Sequence, residues 1–297
     1  MIIPDGVDIV FPDTAAAIDA RRAALVGHRD GGERTVLLIA DVEAGVRELP
    51  LPDPGLFDRA ALLVGGGELV VAMNHDRVLR VGADLEELPV DPGPEVPAPA
   101  PPVVAGWTAH SADGREWPVR QQFHHDEPRY LRDLVVDAEA AAYGDLLSLV
   151  AADFPATGQE DPDQLPDLGD VWTSGDVRLV FVVGRGLWAR RKHGVDFHGC
   201  YRLGPDGRVV DRIWEETGLR DRPGKHGVDG RFTHGGEHVI LTPVFKSGGR
   251  QRVLRVADGT VRTSVLPPAA HLFDHVDGFW WVRTEAEVLR CPDDEVF

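Results

Sequence analysis

Long apolar runs, basic residues and cysteines are all scarce in this sequence of 297 residues. It has no run of eighteen apolar residues, which is about the length that a membrane-spanning helix needs. The first ten residues contain two aspartates and no basic residue, so they lack the positive start of a secretory signal. We therefore expect the two cysteines, Cys200 and Cys291, to be free thiols in a reducing compartment. The sequence predicts a soluble, cytoplasmic protein with no membrane partner.

Negative charge dominates the chain, although not evenly. The net charge is −18, and residues 1–170 hold 12 Lys and Arg against 32 Asp and Glu. Residues 171–297 hold 19 Lys and Arg against 17 Asp and Glu. An acidic surface repels nucleic acid and anionic lipid, so neither is expected as a partner of the whole molecule. A local basic patch in the second half remains open.

Helical periodicity is scarce, and short apolar runs predict strands instead. These runs are four to eight residues long, rich in Val and Leu, and bounded by Gly, Asp or Pro. Asp-Gly pairs such as Asp258-Gly259 and Asp277-Gly278 predict tight turns between them. The clearest runs are residues 35–39, 68–72, 177–183, 238–244, 253–256 and 279–282.

A weak internal repeat sets the predicted fold. The repeating segments start at spacings of 45, 44, 65, 60 and 41 residues. Three spacings lie near the period of about 40–50 residues of a four-stranded propeller blade. The other two fit the same unit with roughly 15–20 inserted residues. The residues that mark the phase of the repeat are Ile18, Leu63, Trp107, Trp172, Phe232 and Phe273.

The sequence therefore predicts one all-β domain over residues 1–297, a six-bladed β-propeller. Its repeats resemble the β-propeller superfamily, of the WD40-like or YVTN-like kind. Only 25 residues remain from Phe273 onward, too few for four strands. We therefore predict that an N-terminal strand, residues 8–11, closes the last blade. A β-sandwich with irregular strands is the alternative fold.

Two stretches interrupt the repeat. Residues 91–102 contain six prolines and predict a stiff connector between the second and third blades. Residues 137–168 form an acidic insertion that begins with an alanine-rich run. Because strands alternate in direction within a blade, the long connections should collect on one face of the ring. Long loops on a rigid scaffold are where binding and catalytic residues tend to lie.

The first functional hypothesis is a binding scaffold. Its loop-rich face would capture a small anionic ligand or a protein partner. Arginine forks suit bidentate oxyanions, and a tryptophan in a glycine-flanked loop can anchor a partner. The predicted binding residues are Arg190, Arg191, Lys192, Arg220, Lys225 and Trp188.

The alternative is a metal- or His-assisted hydrolase or lyase at the mouth of the central channel. His124, His198 and His226 would bind a divalent metal or act as acid–base groups. Asp126 and Asp196 would orient them. The sequence has no P-loop, dinucleotide fingerprint, nucleophile elbow or zincin helix, so it names no reaction. It also leaves the oligomeric state open.

Overall fold

The protein is described from a computed structural model, and the described part of the chain is nearly all β. It contains 22 strands and one short helix. No helix in this part of the chain is long and apolar enough to cross a membrane. The described residues are 1–9, 15–29, 32, 34–51, 60–65, 68–73, 76–82, 86–88, 109–110, 116–117, 167–174, 177–184, 197–204, 209–217, 228–243 and 250–297.

The strands within the described ranges form six sheets, each built from a contiguous stretch of chain. The first sheet contains β1 (Val7–Asp8), β2 (Ala15–Ala17), β3 (Arg22–Arg29), β4 (Arg34–Asp41) and β5 (Gly45–Pro50). The second contains β6 (Ala60–Gly65), β7 (Glu68–Met73), β8 (Asp76–Val81) and β9 (Glu87–Leu88). The third contains β10 (Ala109–His110) and β11 (Glu116–Trp117).

The remaining three sheets complete the chain in the same sequential manner. The fourth contains β12 (Asp167–Ser174), β13 (Val177–Gly184), β14 (Phe197–Leu203) and β15 (Val209–Thr217). The fifth contains β16 (Val228–Phe232), β17 (His238–Pro243), β18 (Arg252–Arg255) and β19 (Val261–Thr263). The sixth contains β20 (His271–Val276), β21 (Phe279–Arg283) and β22 (Val288–Pro292), followed by the helix α1 (Asp293–Val296).

Strands that are adjacent in sequence pair antiparallel in nearly every case, so each sheet is a meander. The first sheet departs from this order, because β1 and β2 both pair with β3. The six runs that predicted strands fall on β4, β7, β13, β17, β18 and β21, which confirms those strands. The predicted turn Asp277-Gly278 is a two-residue hairpin with both residues at positive φ, 51° and 78°.

Five of the six phase residues lie in or directly after an early strand of a sheet. Leu63, Trp172, Phe232 and Phe273 lie in the first strands β6, β12, β16 and β20, and Ile18 directly follows β2. Trp107 lies outside the described residues. These five residues therefore each belong to a different sheet, near its N-terminal side.

The chain divides into two compact units. Unit 1 comprises Met1–Glu95, Thr233–Gly235 and Thr263–Phe297. Unit 2 comprises Val96–Phe232 and Gly236–Arg262.

In unit 1 the first sheet is buried on both faces, which explains the unbroken apolar run in β4. Leu37 and Ile39 pack on one side in a cluster with residues of the second sheet such as Val71. The alternate residues, including Leu38, pack in a second cluster with Trp281 of the sixth sheet. A two-sheet sandwich would cover only one face of each sheet, so this packing does not fit the alternative fold.

An N-terminal segment, residues 1–3, pairs with the sixth sheet. The Val288 N–H donates to the Met1 carbonyl at 2.9 Å, and the Ile3 N–H donates to the Ala286 carbonyl at 2.8 Å. Ile2 and Glu287 form the bridge between these bonds. Asp8, in contrast, belongs to β1 and pairs with the first sheet. The start of the predicted segment therefore belongs to the first sheet, and residues 10 and 11 of that segment lie outside the described residues.

Two buried aspartates connect neighbouring sheets within the units. In unit 2 the Asp170 carboxylate of β12 accepts the Phe232 N–H of β16 at 2.7 Å. In unit 1 the Asp274 carboxylate of β20 accepts the Ala17 N–H of β2 at 2.9 Å. Each aspartate directly follows a register shift in the first strand of its sheet. A buried aspartate after a register shift therefore joins the fourth sheet to the fifth, and another joins the sixth sheet to the first.

Candidate functional site

Several strand ends meet at one end of the two well-described sheets of unit 2. The last residue of β13, Gly184, pairs with the first residue of β14, Phe197, which also pairs with Thr217 at the end of β15. In the next sheet, Val228 at the start of β16 pairs with Pro243 at the end of β17. A hydrogen bond from Val228 to β14 places both sets of strand ends side by side.

Three connections attach to these strand ends, and their sequences are strongly basic. We call residues 185–196, 218–227 and 244–249 the basic connectors. Together they contain eight Lys and Arg against two Asp, a net charge of +6 in a chain of net charge −18. The connectors themselves lie outside the described residues, but the residues at which they begin and end are described.

His198 lies beside the end of one basic connector. The structure places it in β14, two residues after residue 196, and buries it to 1% exposure. Its Nε2 atom accepts the Val228 N–H at 3.1 Å. Since an accepting nitrogen carries no proton, the neutral ring must be protonated on Nδ1. A metal at His198 would therefore have to displace the Val228 bond or bind through Nδ1.

The surroundings of His198 keep its imidazole neutral. Its ring stacks on Phe181 with centroids 6.2 Å apart, and Phe181 stacks in turn on Trp214 at 6.5 Å. Burial lowers the pKa of His198 to about 4, although the nearby Glu216 carboxylate opposes this effect. The ring is thus an uncharged hydrogen-bond acceptor at neutral pH and a poor proton acceptor for catalysis.

An ion pair lies next to His198. Glu216, the cross-strand partner of His198 in β15, accepts Arg252 Nη2 of β18 at 2.9 Å. The two side chains are 16% and 28% exposed, so water screens this pair only in part. One residue earlier, buried Gln251 donates its Nε2–H to the Thr242 hydroxyl at 2.9 Å. Val228 at the start of β16 and Arg252 at the start of β18 are therefore both bonded to the fourth sheet. Gln251, just before β18, is bonded to β17.

The structure describes only one of the predicted site residues. His198 is described, and it is a buried strand residue where a loop was expected. The remaining predicted residues lie outside the described residues, so the metal site, the hydrolase or lyase and the individual binding residues stay predictions. These residues are His124, Asp126, Trp188, Arg190, Arg191, Lys192, Asp196, Arg220, Lys225 and His226.

Sequence reasoning missed the two charged residues that adjoin His198. Glu216 and Arg252 lie in different sheets, and their 36-residue separation gives no sequence signal for a pair. The pairing becomes visible only once β15 and β18 are placed in neighbouring sheets.

Two other reactive side chains in unit 2 are unsuited to nucleophilic chemistry. Cys200 is fully buried in β14, and this burial raises the pKa of its thiol far above the usual range. Burial likewise raises the pKa of Tyr201, whose hydroxyl donates to Glu215 Oε1 at 2.7 Å. Both cysteines of the chain are free thiols, as the sequence predicts.

Comparison with known protein families gives no match to any family model, and comparison with curated proteins gives none either. Among solved structures, the chain is similar to a candidate 6-phosphogluconolactonase from Bacteroides uniformis, with 14% identity and a TM-score of 0.34. That alignment covers 96% of this chain and 85% of the other.

Two peptidase structures are also similar to the chain. The isopeptidase AtxE2 has 12% identity and a TM-score of 0.30 over 82% of this chain. An acylaminoacyl peptidase from Pyrococcus horikoshii has 9% identity and a TM-score of 0.25 over 98% of this chain. The chain spans 38% of the length of each peptidase. Similarity at this level assigns no activity.

Proposed function

We propose that the protein is a β-propeller scaffold that binds an anionic ligand at the end of unit 2 where the basic connectors attach. The observation that carries this proposal is the position of the connectors' ends. Three sequence-distant segments with a combined charge of +6 leave from adjacent strand ends of a chain that is otherwise acidic.

The propeller part of the proposal is supported by the sequential sheets. Each sheet is built from consecutive strands, and the first sheet is covered on both faces within unit 1. In a propeller, each blade must bury both faces against its neighbours. Six blades would account for all six sheets of the described ranges, with the short pair β10 and β11 as part of the third.

The ligand part follows from electrostatics. Cationic segments that leave from adjacent strand ends attract an anion by their summed field, even where single exposed charges contribute little. Arginine predominates in the connectors, and its guanidinium offers paired donors that match carboxylate and phosphate oxygens. Arg190, Arg191, Lys192, Arg220 and Lys225 would supply these contacts, with Trp188 packing against the ligand.

A double charge reversal tests the proposal. The variant Arg191→Glu with Lys225→Glu should lose binding of inorganic phosphate or citrate, measured by isothermal titration calorimetry at low salt. Affinity of the unaltered protein should also fall as salt is raised from 20 to 200 mM, because the Debye length shortens from about 20 Å to about 7 Å. The circular dichroism spectrum should be unchanged, because both residues lie in connections between strands.

A matched control separates local from global charge. The variant Arg34→Glu with Arg47→Glu makes the same change in net charge at two exposed residues of unit 1. It should retain binding. Equal loss of binding in both double variants would show that net charge alone explains the effect. Undiminished binding in the connector variant would refute the site.

A further inference from the structure

We propose that His198 is an acid-sensitive link between the fourth and fifth sheets, which releases the start of β16 when its imidazole takes up a proton. The link is a conformational device within unit 2, and it is independent of the proposed anion site. It involves only described residues, namely the imidazole, the Val228 N–H that it accepts, and the side chains packed beside the ring.

Strand β16 is attached to the fourth sheet at both of its ends, by two different groups. At its start, the Val228 N–H donates to His198 Nε2 of β14 at 3.1 Å. At its end, the Phe232 N–H donates to the Asp170 carboxylate of β12 at 2.7 Å. Both bonds are buried. Only the first depends on an imidazole nitrogen without a proton, so protonation of His198 acts on one end of the strand.

The bond at the start of β16 and a charged imidazole exclude each other. Both nitrogens of an imidazolium carry a proton, so the Val228 N–H would face a second donor whichever way the ring is turned. The His198 ring stacks on Phe181 and is only 1% exposed, so it reaches water only by leaving this position. Proton uptake is therefore coupled to opening of the link.

The side chains around His198 set the direction of this coupling. Burial is the largest effect, and it lowers the pKa of His198 to about 4. Glu216, the cross-strand partner in β15, raises this pKa, whereas Arg252 of β18 lowers it. The neighbours from β13 and β16, Phe181 and Val228, are uncharged. Glu216 is therefore the group that stabilises the charged ring.

The size of the response follows from the difference between the bonded and the free imidazole. The pKa is about 4 in the buried position and 6.5 for a free histidine. The ratio of open to closed link therefore rises about tenfold for each pH unit below 6.5, until the bonded ring itself titrates near pH 4. Between pH 7.5 and 4 the total increase is about a hundredfold.

Amide hydrogen exchange, corrected for the intrinsic pH dependence of the exchange rate, tests the link directly. Protection of the Val228 amide should fall about a hundredfold between pH 7.5 and 4 in the wild-type protein. The Phe232 amide, at the other end of β16, should keep its protection. In His198→Gln the side-chain carbonyl takes the place of Nε2 and does not titrate, so the Val228 amide should stay protected at both pH values.

A second variant tests the charge effect without altering the link. Glu216→Gln removes the carboxylate that stabilises the imidazolium, so the acid-induced fall in Val228 protection should become smaller than in wild type. Glu215→Gln is the matched control, because neighbouring residues of a strand point to opposite faces, and it should leave the fall unchanged. Thermal melts at pH 7.5 should establish that each variant is folded.

The outcomes separate a local link from general unfolding in acid. Selective loss of Val228 protection in wild type, absent from His198→Gln and reduced in Glu216→Gln, would establish the inference. Simultaneous loss at Val228 and Phe232 would overturn it, because the whole sheet would then be unfolding. An equal fall at Val228 in wild type and His198→Gln would overturn it too, as would an equal fall in Glu216→Gln and Glu215→Gln.

Discussion

Substitution of Asp274 should be among the most destabilising changes in unit 1, because its one buried carboxylate accepts hydrogen bonds from three backbone N–H groups. Its oxygens accept the N–H of Ala17 at 2.9 Å, of His234 at 2.6 Å and of His275 at 2.9 Å. The residue has 0% exposure, so water cannot replace it without rearrangement. Asp274→Ala removes the acceptor for all three donors at once.

The expected loss follows from two opposing effects. Each N–H left without an acceptor costs about 1–3 kcal/mol, which gives roughly 3–9 kcal/mol for three donors. Removing a buried charge returns several kcal/mol of desolvation free energy. We therefore expect Asp274→Ala to lower the unfolding free energy of unit 1 by about 3 kcal/mol, a large share of typical domain stability.

Hydrogen exchange is the direct assay for this prediction, because it reports on individual amides. The Ala17 and His234 amides should lose protection in Asp274→Ala, and the urea midpoint followed by tryptophan fluorescence should fall. Asp258→Ala is the control, since Asp258 also accepts from Thr260 N–H but lies exposed in a turn. Unchanged protection at Ala17, or an equal effect of the two variants, would refute the reasoning.

Two further predictions concern pH and a turn. Burial lowers the pKa of His198 to about 4 from a free value of 6.5. As pH falls from 6.5 to 4, His198 therefore becomes protonated in the unfolded chain but stays neutral in the folded chain. The unfolding free energy should therefore be unaffected by His198 above pH 6.5 and should fall by on the order of 3 kcal/mol between pH 6.5 and 4. Urea titrations should show a smaller decline for His198→Gln, and an equal decline would contradict the assignment. Gly278→Ala should destabilise unit 1 by about 1 kcal/mol, because φ is 78° and no atom lies within 4 Å of the added Cβ to contribute a clash. Asp277→Asn is the matched change at the neighbouring positive φ and should leave the thermal midpoint nearly unchanged; a Gly278→Ala variant as stable as wild type would rule out the backbone cost.

The sequence predicted the sheets well because local signals define them. Apolar runs bounded by turn residues identified β4, β7, β13, β17, β18 and β21. The pairing of residues 1–3 with residues 286–288 was not predicted from the sequence. Residues 8–11 have the stronger strand pattern, whereas Met1–Ile3 is short and its pairing depends on a partner almost the whole chain away.

The candidate site was harder to predict because its contacts depend on tertiary structure. His198 follows a glycine- and charge-rich stretch, so its sequence favours a loop; its burial arises from packing on Phe181. The Leu-x-Asp pattern at residues 168–170 and 272–274 is a signal that could have revealed the two aspartates that join sheets. Nothing local could have paired Glu216 with Arg252.

The pairing of residues 1–3 with residues 286–288 should also limit self-association. Without residues 1–3, the backbone around the start of β22 would present open amide and carbonyl groups, the kind of template on which strands of other molecules add. During synthesis this pairing can form only after residue 288 has emerged from the ribosome, so residues 1–3 stay unpaired until nearly the whole chain has been made. Deleting residues 1–3 is therefore expected to produce concentration-dependent aggregation before it produces any large loss of secondary structure.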